Sequence, residues 1–165
     1  SCVYAIKNYP DYFTKAGELG WAERAKKVVA RFCDLTDFIV NKLGVTDVGA
    51  YLPGKAVYHP SCSLTRKLGI VDEPIALLKG VKGLDLLPIH NQQTCCGFGG
   101  TFSVKMAEIS GEMVKEKVEH IEEVEPQYLI GADVSCLLNI GGRLQREGSK
   151  IKVMHIAEVL MQGEK

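Results

Sequence analysis

The stretch TCCGFGGTF, Thr94–Phe102, sets two adjacent thiols at the head of a glycine-rich turn. A disulfide between neighbouring residues strains both the peptide and the S–S torsion. The pair is therefore read as part of a metal or cluster site, or as a reactive thiol pair. Gly97, Gly99 and Gly100 lift the steric limit on the backbone and would let it approach a bulky ligand. The same glycines would equally serve an ordinary tight turn. GFGG lacks the GxGxxG spacing of a dinucleotide loop, and it follows two cysteines, so that reading fails.

Two further cysteines complete the constellation: Cys62 in HPSC and Cys136 in DVSC. Long gaps separate Cys62 from Cys95 and Cys96 from Cys136, which excludes a compact zinc finger with its close ligand pairs. Ligands gathered from several loops of one sheet fit these gaps. Four thiolates suit a soft or borderline metal, as an iron–sulfur cluster or as zinc. Buried free cysteines are the alternative, although a Cys-Cys-Gly turn makes a poor core element. His59 lies three residues before Cys62 and is a candidate ligand, outer-shell donor or proton donor. Ser61 and Ser135 each precede a site cysteine and could donate to sulfur. His90 reads as solvated, His120 as surface, and His155 as the cap of the last helix. Cys33 reads as a core thiol, and KVEHIEEVE, beginning at Lys117, as a solvated helix face.

Hydrophobic periodicity supplies the frame. A short helix is expected over 9–19. A single long helix follows, with Trp21, Ala25, Val28, Phe32, Leu35, Ile39 and Leu43 on one face and Gly44 closing it. Strands are expected at 55–59, 84–89, 128–136 and 150–156, with helices near 61–69, 74–79 and 106–123, over GRLQREG and over AEVLMQG. Strands alternating with helices predict an α/β fold, a mainly parallel sheet of about four strands flanked by helices. Ligands of such sheets bind at the carboxyl ends of the strands. Cys62, Cys95 and Cys136 all follow expected strands, so the cysteine site is placed there.

The chain's 165 residues, 46% of them hydrophobic, suffice for one domain with a full core. A formal net charge of zero gives no electrostatic case for nucleic acid or an anionic membrane. No apolar run reaches the roughly 20 residues of a transmembrane helix. The cysteines and the core-rich composition point to a reducing cytoplasm, with any contact with the membrane's inner face made through partners. A faint repeat relates SCVYAI at Ser1 to SCLLNI at Ser135.

The blocks YHPSC, TCCGFGGTFSVKMAEISGEM and DVSCLLNIGG resemble the cysteine-rich, or CCG, domain of iron–sulfur oxidoreductases. The likeness covers most of the chain and is densest from Tyr58 to Gly142. It is nearest to the iron–sulfur subunits of bacterial L-lactate oxidation. Glycolate oxidase, anaerobic glycerol-3-phosphate dehydrogenase and heterodisulfide reductase subunits are more distant.

Several expectations follow from the resemblance. Residues 51–165 form a CCG unit, and residues 1–50 form a helical segment carrying the tail of a first CCG unit, with Cys2 as that unit's last-motif cysteine. A 4Fe–4S cluster is held by Cys62, Cys95, Cys96 and Cys136. In the heterodisulfide reductase relatives five cysteines hold a cluster, and Asn139 stands at the fifth position here. His59 could fill that vacancy. The implied role is an electron-transfer subunit in L-lactate oxidation to pyruvate, partnered by other iron–sulfur or flavin subunits and by the first CCG unit. A zinc-bound structural or docking domain is the alternative. Thiol–disulfide exchange between Cys62 and the Cys95/Cys96 pair is a third, weakened by the lack of a CxxC.

Overall fold

A computed structural model describes residues 2–163. Its elements run α1 Cys2–Lys7, α2 Tyr9–Lys15, α3 Leu19–Val29 and α4 Leu35–Asp37, the last flowing into a π-helical turn, Phe38–Lys42. Then come β1 Tyr51–His59, a π-helical turn Ser63–Lys67, α5 Asp72–Lys79 and β2 Lys82–Leu86. The chain continues through α6 Phe102–Lys105, α7 Ala107–Glu122, β3 Tyr128–Gly131, α8 Val134–Arg146, β4 Lys152–His155 and α9 Ile156–Leu160. The four strands form one sheet in the order β2-β1-β3-β4, and every pairing is parallel. The fold is α/β, as the alternation of elements predicts.

The two central strands are covered on both faces, which a parallel sheet requires. Alternate residues divide between two cores. Val57 and Leu129 face α7 and α8, packing with Val118, Ile121, Ile140 and Leu144. Ala56, Tyr58 and Ile130 face the opposite side, with Leu78, Ile156 and Val159 of α5 and α9. His59, two residues beyond Val57, shares the α7/α8 face by strand alternation. Pro60 stops β1, since it has no N–H for the ladder.

The strand order creates the site. From β1 the chain turns outward to β2, then crosses back to lay β3 on β1's other flank. At such a reversal, loops diverge from two adjacent carboxyl ends and leave a crevice. Here the adjacent ends are His59 and Gly131, which are register partners.

Several local expectations are corrected. The long helix of residues 21–43 is two helices, because the chain opens at residues 31–34 and Asp34 caps a new one, accepting from the Thr36 N–H at 2.8 Å. Its apolar stripe is largely uncovered: Trp21, Val28, Phe32, Leu35 and Leu43 are exposed. Cys33 is half-buried rather than a core thiol. The second strand ends at Leu86, earlier than expected. The third ends at Gly131, and Cys136 lies in the first turn of α8, not in a strand or turn. GRLQREG largely continues that same helix, which runs through Gly141 and Gly142. His155 does cap the last helix, its Nδ1 accepting from the Ala157 N–H at 3.2 Å while Glu158 accepts from the His155 N–H at 2.7 Å.

Candidate metal centre

Three separate pieces of chain bring soft donors into the crevice. His59 ends β1, Cys96 sits in the loop between β2 and α6, and Cys136 lies in the first turn of α8. One donor atom from each, the imidazole nitrogen and two sulfurs, fall within 4.8 Å of one another. All three residues are buried. The His59 Nδ1 has no hydrogen-bond partner. A buried polar atom left unpaired costs roughly 1–3 kcal/mol, so this nitrogen fits a ligand the protein itself does not supply. The donor set, one imidazole and two thiols, suits zinc or an iron centre.

Cys62 and Cys95 flank this trio. Both are half-buried, and they lie close enough to interact electrostatically. Cys62 precedes the π-helical turn after β1. The Cys95 sulfur accepts the Gly97 N–H at 3.4 Å. Among the described residues all six cysteines are free thiols.

The sulfurs are not electrostatically equal. A hydrogen bond from the Cys136 thiol, despite the cost of burial, holds Cys96 well below the usual thiol range, with help from His59 and the Phe98 N–H. The same bond, together with burial, pushes Cys136 up, while Ser61 resists. The Cys136 S–H lies 3.8 Å from the Ser61 hydroxyl oxygen. Burial raises Cys95, against the pull of the Gly97 N–H. Of this coupled pair, Cys96 is the one held low and Cys136 the one held high.

The Cys95–Gly97 turn is clamped from three sides. Gln92 donates to the Tyr58 carbonyl of β1 at 3.0 Å. Ser110 of α7 donates to the Gly97 carbonyl at 2.8 Å. Asn139 of α8 donates to the Cys96 carbonyl at 2.7 Å. Asn139 therefore holds the turn that carries Cys96, and its amide is engaged with backbone. Gly97, Gly99 and Gly100 all have positive φ, at 81°, 53° and 65°. At Gly97 packing adds a second demand: a Cβ there would lie 2.8 Å from the Ser110 carbonyl oxygen and 3.1 Å from the Met113 Cβ. At Gly100 a Cβ would meet nothing within 4 Å.

The sequence reading missed Lys117. Placed there on a solvated face, it is fully buried, at 0% exposure. Its ammonium donates to the carbonyls of Asn91, at 3.2 Å, and Gln92, at 3.0 Å. Burial lowers its pKa, and negative charge on Cys96, Cys95, Glu116 and Cys136 opposes that shift. Helical spacing carried the signal, since Ser110, Val114, Lys117, Val118 and Ile121 form the buried face of α7. His120 is half-buried rather than surface, its ring 5.1 Å edge-on from that of His90.

Comparison with known proteins agrees with this geometry. The profile of the cysteine-rich CCG domain matches residues 56–141, which span Cys62, Cys95, Cys96, Cys136, His59 and Asn139. The chain belongs to the CCG cysteine-rich domain family. It is 74% identical over 161 residues to the Escherichia coli K12 protein YkgE, covering 98% of this chain and 66% of that protein. It is 58% identical to lactate utilization protein A of Geobacillus thermodenitrificans, covering 97% of this chain and 66% of that protein. Against lactate utilization protein A of Lysinibacillus sphaericus the identity is 56%, covering 97% and 69%. The chain thus spans about two-thirds of the length of these relatives. No helix of the CCG domain's described residues is long and apolar enough to cross a membrane.

Proposed function

We propose that this CCG domain is the cluster-binding unit of an iron–sulfur electron-transfer subunit serving L-lactate oxidation to pyruvate. One observation carries the reading: soft donors from three elements converge, buried, at the sheet's switch point, with the His59 Nδ1 unpaired. The names of the relatives at 56% and 58% identity supply the substrate class.

Oxidising lactate to pyruvate releases two electrons and two protons, which fall to a partner with iron–sulfur or flavin chemistry. A 4Fe–4S cluster, when bound, supplies one-electron transfer and requires thiolate ligands. Cys62, Cys95, Cys96 and Cys136 would hold it, with His59 beside them. Asn139 and Ser110 fix the Cys95–Cys96 turn, and Cys96 is held well below the usual thiol range. Burial of His59, Cys96 and Cys136 excludes water. A first CCG unit, to which Cys2 would belong, and partner subunits complete the assembly in a reducing cytoplasm.

The alternative, a single zinc ion, is favoured by the compactness of the trio. Three donors within 4.8 Å of one another suit one ion. Growth on L-lactate tests the proposed role, and iron, zinc and sulfide content separates cluster from zinc. In a host that needs this protein for such growth, Cys96→Ser should abolish it and leave growth on other carbon sources intact. Undiminished growth on lactate would contradict the proposed role.

A further inference from the structure

A fully buried ammonium needs an anion, and among the described residues Lys117 forms no salt bridge with a carboxylate. Its two hydrogen-bond acceptors are neutral carbonyls, those of Asn91 and Gln92. Those carbonyls lie in the loop that delivers Cys95 and Cys96. Negative charge on Cys96 or Cys95 of that loop would act on this ammonium, as would the neighbouring Glu116. An uncompensated ion inside a protein costs several kcal/mol. The expected counter-charge is therefore the centre that the cysteines build.

We propose that Lys117 is the fixed counter-cation of the cysteine centre, a positioning residue whose charge sets how readily that centre accepts an electron. The inference rests on the metal-centre reading above. Four thiolates around a 4Fe–4S core leave the oxidised centre with a net negative charge, and each added electron increases it. The electron comes from an external one-electron reductant, and no bond is made or broken at Lys117. A cation held in the low-dielectric wall favours the more negative state. Its loss makes reduction harder.

The alternative role is structural: Lys117 ties down the Asn91–Gln92 carbonyls. Three variants separate the two roles. Lys117→Met removes charge and donor. Lys117→Gln removes charge and keeps a donor. Lys117→Arg keeps both. Each is prepared in the whole protein under anaerobic conditions. Iron, zinc and sulfide are assayed first, and the centre is then titrated with dithionite under EPR.

Lys117→Met and Lys117→Gln should retain iron and sulfide, with the reduction equilibrium constant at least tenfold less favourable. For one electron that is 59 mV more negative. Lys117→Arg should stay within about threefold of wild type, since the charge is kept. A wild-type midpoint in a cluster-loaded Lys117→Gln overturns the charge role. If the wild type instead carries zinc without sulfide, the cluster reading falls, and the counter-charge is tested by chelator competition. Lys117→Gln should then lose at least tenfold in zinc affinity, and an unchanged affinity overturns it. A wild type with neither metal overturns both proposals.

Discussion

Gly97→Ala tests whether the Cys-Cys turn is fixed by packing as well as by backbone conformation. Both Gly97, at φ 81°, and Gly100, at φ 65°, occupy the left-handed region. An L-residue there costs roughly 1–2 kcal/mol. At Gly100 that is the whole expected cost, because a Cβ there meets nothing. At Gly97 the Cβ comes within 2.8 Å of the Ser110 carbonyl oxygen and 3.1 Å of the Met113 Cβ. Both atoms are fixed to the backbone of α7, so relief requires moving the helix or the turn. Overpacking of this kind costs roughly 1–3 kcal/mol more.

Gly97→Ala should therefore lose roughly 2–5 kcal/mol in all, and Gly100→Ala roughly 1–2. The assay is urea unfolding of the reduced, metal-free protein. With a slope of about 2 kcal/mol per molar urea, the two midpoints should differ by about 1 M. Metal uptake should fall with Gly97→Ala and hold with Gly100→Ala. Equal midpoints would show that α7 does not press on the turn, and the clamp described here would be wrong.

Other outcomes follow from the same geometry. Asn139→Ala removes the 2.7 Å hydrogen bond to the Cys96 carbonyl, and stability should fall by about 1 kcal/mol. Metal affinity should fall about 10–100-fold, as for other residues that orient a ligand; chelator competition measures it, and an unchanged value would remove Asn139 from the site. His59→Ala should weaken metal binding beyond that roughly 100-fold range if the unpaired nitrogen is a ligand, and an unchanged metal content and spectrum would exclude it. The pH dependence has a defined sign. Cys96 is held low by the Cys136 hydrogen bond, so its contribution to stability is complete above the ordinary thiol value of 9.0 and is lost as pH falls through the lowered value. Cys136 is held high by the same bond, so its contribution is complete below 9.0 and is lost as pH rises through the raised value. Metal-free, reduced protein should gain stability from about pH 7 to about pH 9 relative to Cys96→Ser; parallel stability curves would contradict the assignment of Cys96 as the thiol held low.

The sheet was legible in the sequence because its evidence is local. Four β-rich runs alternate with helical ones, and Pro60 and the glycine turns mark their ends. The placement of the cysteines beyond the strands followed from the same pattern. Cys136 was misplaced because the β-rich run of Tyr128–Gly131 was carried on to it, although Asp133 caps a helix there and Leu137, Ile140 and Leu144 keep its period. The apolar stripe from Trp21 to Leu43 read as one helix because periodicity carries across a short opening, and Asp34 as a cap competes weakly with it in sequence. Lys117 escaped because a lysine beside glutamates reads as solvated, even where helical phase puts it among valines. Asn139 could not be read locally at all. Its partner, the Cys96 carbonyl, lies on another element and meets it only when α8 packs against the loop. Backbone partners and buried charge are products of tertiary contact, while residue types and their spacing belong to the sequence.

The central claim is that Cys62, Cys95, Cys96 and Cys136 hold an iron–sulfur cluster. The most direct test is to isolate the whole protein anaerobically and assay iron, zinc and acid-labile sulfide per chain, with an EPR spectrum of the reduced sample. The account predicts about four iron and four sulfide for the site, with a signal lost in Cys96→Ser. Stoichiometric zinc without sulfide, and no EPR signal on reduction, would contradict it.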